Sequence, residues 1–141
     1  MVAVDRDGLF SAYEAVRDDK TEEEWALFGY DDSNTVVHLK SGSQYDDFLT
    51  ELKDEERCYA YLRIQSGDEL SKRAKFVFVA WIGENVSGMK KAKVGTDKSS
   101  VKAVLKNFAI EISTGEKHEL ELEEVRAAVR KAGGANYGTG Q

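Results

Sequence analysis

Seven consecutive apolar residues, Phe76 to Ile82, constrain the fold more than any other stretch of the chain. A run this rich in aromatic and β-branched types reads as a strand buried on both faces. A strand with no polar face needs cover above and below, so helices must pack on both sides of the sheet that holds it. The cationic cluster Ser71-Lys72-Arg73-Ala74-Lys75 stands at its entry. At its exit Gly83-Glu84-Asn85 turns the chain, and Ser87 is placed to cap the helix that follows. That helix, read as Ser87 to Phe108, carries six lysines, so the most hydrophobic element lies between the two most basic ones.

The rest of the chain alternates helices and hairpins. Leu9, Ala12, Tyr13 and Val16 recur at helical spacing, with Asp5 or Asp7 as N-cap. Trp25–Tyr30 and Thr35–Lys40 are strands joined by the turn Asp31-Asp32-Ser33-Asn34. Ser43-x-x-Asp46 resembles a capping box, and Tyr45, Phe48, Leu49 and Leu52 form the face of a second helix. Arg57–Gln65 is a third strand, and residues 66–75 a protruding basic loop. In the long helix Val94, Val101, Val104, Leu105 and Phe108 share one face, while Lys91, Lys98, Lys102 and Lys106 share another. Gly95, worth about 1 kcal/mol against alanine, is the place where it would break. Ala109–Ser113 is a fifth, edge strand and Thr114–Lys117 a turn. Leu122, Val125, Val129 and Ala132 define a last helix with Gly133 as its C-cap. The expectation is a mixed α/β (α+β) fold, one domain over residues 1–134 with a flexible tail over 135–141.

Charge narrows the partner. The net charge is −6, yet Lys72 to Lys106 hold nine Lys/Arg against two acids, Glu84 and Asp97. An acidic protein with one concentrated basic region suggests a local anionic partner rather than general affinity for polyanions. No aromatics interleave with the lysines, which argues against nucleic acid. An anionic lipid headgroup fits better as a secondary ligand. No apolar stretch approaches the roughly 18 residues of a membrane helix, so no transmembrane segment is expected. The lone Cys58 and the absence of a leader-like apolar segment near the N-terminus suit the cytoplasm.

Catalytic chemistry is not legible. His38 and His118 stand apart from any metal-ligand spacing, so no metal or cofactor is expected. Carboxylates lie in solvated runs such as Glu22–Glu24. Gly83-x4-Gly88 follows a buried strand, as a phosphate-binding loop would, but Met89-Lys90 replaces the required Lys-Ser/Thr. The lysine stripe reads either as a solvated helix face or as a docking surface. Acidic partners at i±4 are missing, which favours docking.

Four segments carry a resemblance: Ser71-Lys72-Arg73-x-Lys75-Phe76, Trp81 through Gly88, Ala92-Lys93-x-Gly95-Thr96-Asp97-Lys98, and Lys131-Ala132-Gly133-Gly134-Ala135-Asn136-Tyr137. In this order they resemble the coactosins, of the actin-depolymerising-factor homology (ADF/cofilin) superfamily. The resemblance implies a mixed sheet of five or so strands between two helix layers. It also implies a cytoskeletal, non-enzymatic monomer that binds the side of filamentous actin, with little severing, and opposes filament capping. Lys75 would be the main actin contact, beside Lys72 and Arg73, with Lys91, Lys98 and Lys102 on the long helix. Lys131 would serve a different partner of lipoxygenase type. The alternative is an adaptor for such an enzyme or for phosphoinositides.

Overall fold

A computed structural model describes the backbone of residues 1–66 and 73–140 and the side chains of 1–66 and 73–133. The elements are α1 (Arg6–Arg17), β1 (Trp25–Tyr30), β2 (Val36–Gly42), α2 (Tyr45–Thr50), β3 (Arg57–Ser66), β4 (Arg73–Ile82), α3 (Gly88–Lys102), β5 (Ile110–Thr114), a 3₁₀ turn (Lys117–Leu120) and α4 (Leu122–Gly140). One five-stranded sheet runs in the order β2-β1-β3-β4-β5. β1–β2, β1–β3 and β3–β4 pair antiparallel, and β4–β5 pair parallel through the α3 crossover, so the sheet is mixed.

The period of two along each strand divides the core. Phe28, Tyr59, Tyr61, Phe78 and Ala80 face Leu9, Ala12, Tyr13 and Val16 of α1, and Val94 and Val101 of α3. Their neighbours Leu27, Ala60, Leu62, Val77, Val79 and Trp81 face Phe48 and Leu52, and Val125 and Val129 of α4. The apolar run is therefore covered on both sides, as its composition demands. The two buried indoles remain satisfied: Trp25 Nε1 donates to the Gln44 carbonyl and Trp81 Nε1 to that of Lys53, both at 2.8 Å. Asp5 caps α1 by accepting from Gly8 N, and Ser87 caps α3 by accepting from Lys90 N. Asp31 Oδ1 accepts from Ser33 N and Thr35 N, closing the β1–β2 turn in which Asn34 adopts φ 62°.

Five local expectations are corrected. α3 stops at Lys102, not Phe108, although Val104 and Leu105 stay buried. Val104 N bonds to the Val101 carbonyl, so a tightened turn rather than helix carries the apolar period onward. β4 starts at Arg73, so Arg73 and Lys75 belong to a paired strand rather than a loop. Gln44, not Ser43, is the N-cap of α2, and it makes no side-chain cap bond. The expected Thr114–Lys117 turn is shorter, since β5 runs to Thr114 and a 3₁₀ turn begins at Lys117. Gly133 lies inside α4, where an added Cβ would meet open space; a helix tolerates glycine at a cost and need not end there.

Candidate functional site

Lys75 is exposed and sits opposite Ile64 in the unbroken β3–β4 ladder; Arg73, also exposed, sits opposite Ser66. Ile64 and Val77 belong to the face covered by α2 and α4. Strand alternation puts Lys75 and Arg73 on that same side. α3 packs on the other side. Among the described residues, the two basic regions therefore lie on opposite faces of the sheet and do not form one continuous patch. They approach only at one end: β5 opens opposite Val77, and Ala109 N bonds to the Phe76 carbonyl at 2.7 Å, so exposed Lys106 falls near the start of β4. Lys91 is at the far end, its Nζ donating to the Glu84 carbonyl at 3.2 Å. Lys72 lies outside the described residues. Among the described residues, no carboxylate lies within ion-pair distance of Lys75.

The lysine stripe is not unneutralised. Lys98 Nζ lies 2.6 Å from Glu111 Oε2, and Lys102 Nζ lies 2.7 Å from Glu111 Oε1. Helical i±4 spacing could not reveal this counter-charge, because it comes from β5. Partial burial pushes the Glu111 carboxyl up, but the two lysines outweigh it and hold it below the usual carboxylate value. Lys98 and Lys102 thus join α3 to the sheet, while Lys90, Lys91 and Lys93 stand exposed on its N-terminal half.

α3 buries only Val94 and Val101 along its 15 residues. Each is worth roughly 1.5–3 kcal/mol, against about 1 kcal/mol for Gly95. Polar bonds complete its seat. Tyr30 Oη donates to Asp97 Oδ2 at 2.8 Å and lies 2.7 Å from Tyr59 Oη. The Arg57 guanidinium stacks 3.8 Å above the Tyr30 ring. Burial pushes the Tyr30 phenol up to about 12, so it remains a donor at neutral pH. Beside this group a cleft of about 680 Å³ opens between the N-terminal segment and α3, lined by Arg57, Lys93 and Thr96 among others. The sequence offered one signal for Asp97, a lone acid within the basic helix, and none for Tyr30, Tyr59 or Glu111.

Gly83 also finds its explanation here. A Cβ there would lie 2.2 Å from the Asp54 carbonyl oxygen, so the glycine serves close backbone packing rather than a phosphate loop. Lys131 is exposed on α4, which belongs to the opposite helix layer from α3. Among the described residues, no helix is long and apolar enough to cross a membrane.

A mixed five-stranded sheet between two helix pairs, with lysines on one crossover helix, is the architecture of a known class of binding domain. Residues 1–130 match the family model described as cofilin/tropomyosin-type actin-binding protein. The chain belongs to this ADF/cofilin family, whose role is actin-binding and cytoskeletal. Within that family it is similar to the coactosins. It is 45% identical to the coactosin-like protein of Bos taurus over 134 residues, covering 95% of this chain and 94% of the relative. The crystal structure of human coactosin-like protein superposes with a TM-score of 0.89 at 40% identity, covering 93% of this chain and 99% of that one. The solution structure of mouse coactosin, described as an actin filament binding protein, gives a TM-score of 0.80 at 41% identity over 99% and 98% of the two chains.

Proposed function

We propose that this protein binds the side of filamentous actin rather than the monomer, acts as a cytoplasmic monomer without catalysis, severs little and opposes filament capping. The observation that carries this reading is Lys75, presented with Arg73 at the end of a ten-residue paired strand and exposed. The likeness to mouse coactosin, an actin filament binding protein, supports it. Residues 1–134 would act as one domain; the backbone of α4 runs on through residues 135–140, where the sequence suggested a flexible tail.

Magnitudes limit what charge can do. Micromolar binding is about −8 kcal/mol, whereas an exposed ion pair gives roughly 0.2–1 kcal/mol. Five such pairs fall short, so Lys72, Arg73 and Lys75 orient the domain on an acidic surface while apolar contact supplies the remainder. On α3, Lys91 contributes with exposed Met89 beside it. Lys98 and Lys102 contribute by holding the helix and through whatever charge Glu111 leaves uncompensated.

Co-sedimentation with actin filaments at two salt concentrations tests the reading. Binding should weaken in raised salt and be largely lost in Lys75→Ala with the fold intact; unchanged pelleting of that variant rejects the assignment. A second partner, a lipoxygenase-type enzyme or a phosphoinositide, would use another face. Exposed Lys131 on α4 is the candidate, and Lys131→Ala should leave filament binding unaltered while weakening such a partner.

A further inference from the structure

We infer that Tyr30 and Asp97 are positioning residues for filament binding, a hydroxyl-to-carboxylate tether that fixes how α3 is rolled on the sheet. The inference rests on the filament-binding reading above and adds how the helix is presented.

Val94 and Val101 are the only fully buried residues of α3. Seven residues apart, these two lie on a single line along the helix, and a helix resting on one line can roll about its axis. Rolling would displace Lys91, which shares its face with Lys98. Asp97 lies between the two valines and is half-buried, and its Oδ2 accepts the Tyr30 hydroxyl hydrogen at 2.8 Å. The Tyr30 hydroxyl in turn meets that of Tyr59, whose ring is fully buried and stacked on Phe78. The tether therefore ends in the buried core of the sheet. Two residues further along β3, Tyr61 donates to the Asn107 carbonyl, and Asn107 N–H donates to the Tyr13 hydroxyl at 3.2 Å. The segment just past the helix is clamped in the same manner. On the other flank Lys98 and Lys102 hold Glu111. Together these bonds order the helix before it meets a partner, which lowers the cost of ordering it on binding.

The full chain can be compared by filament co-sedimentation, thermal unfolding and amide hydrogen exchange. Tyr30→Phe keeps the ring and removes only the hydroxyl. It should weaken filament binding roughly five- to tenfold, the equivalent of one hydrogen bond. Amide exchange in α3 should rise with little change in the unfolding midpoint, and the salt dependence of binding should not change. Asp97→Ala should match it, the double variant should be no weaker than the worse single one, and Asp97→Asn, which keeps an acceptor oxygen, should bind nearly as the parent does. Additive losses, or loss in Asp97→Ala with normal binding by Tyr30→Phe, would mean that Asp97 touches the filament itself and would overturn the inference. Unchanged α3 exchange in Tyr30→Phe would overturn the tether alone. Failure of the unaltered protein to pellet would overturn the filament reading, and with it the binding half of this inference.

Discussion

Lys98 Nζ lies 2.6 Å from Glu111 Oε2, which makes a lysine of the basic helix a structural bridge to the outermost strand. Lys102 takes the other carboxylate oxygen. Two of the cations that look alike along the sequence are therefore committed internally, and their substitution should act first on the seat of α3.

This bridge has a pH signature. The Glu111 carboxyl sits below its usual value in the folded state, so its contribution is present above the unfolded value near 4.5 and is lost as pH falls through the lowered folded value. Urea unfolding of the parent should show stability falling from about pH 5 downward, and Glu111→Gln should flatten that slope. At neutral pH Glu111→Gln should cost about 0.5–1 kcal/mol, the range of a well-placed surface pair.

Lys75 and Lys102 should separate cleanly. Lys75→Ala leaves stability within about 0.5 kcal/mol, as expected of an exposed site, yet loses most filament binding. Lys102→Ala loses stability and weakens binding less than Lys75→Ala does, through the loosened α3 and the residual charge it removes. Equal behaviour of the two variants in paired unfolding and pelleting measurements would contradict this division.

Ser87 caps α3 by accepting from Lys90 N. Ser87→Ala should destabilise by about 1 kcal/mol and Ser87→Asp much less, since aspartate caps as well. Denaturant unfolding reads the first effect, and exchange of the first-turn amides localises it.

Gly83→Ala should be more damaging than its size suggests. The new Cβ would press on the Asp54 carbonyl, which is backbone and cannot rotate away. A loss of about 1–3 kcal/mol is expected by chemical denaturation, with the Gly83 N to Glu56 carbonyl bond the first to lengthen.

Strand and helix positions were largely legible because their signals are local. The two-sided apolar run required cover on both faces, and α1/α3 and α2/α4 provide it. The β1–β2 turn and the Ser87 cap follow from side chains that bond within a few residues. The end of α3 was not legible, since Val104 and Leu105 keep a helical period that a tightened turn also satisfies. Nor could Gly133 reveal whether it ended a helix or sat within one.

The sequence alone determined the layered α/β fold, the resemblance that carries the family, and the existence of two basic regions, because alternation and spacing act over neighbouring residues. Only the tertiary structure decided how those regions relate. Strand pleating sends Lys75 to the face opposite α3, and the parallel β4–β5 pairing brings Glu111 beneath Lys98 and Lys102. Which charges remain available to a partner depends on contacts between residues distant in sequence. Coulombic attraction and hydrogen bonding act over ångströms in space, and no spacing rule along the chain encodes them.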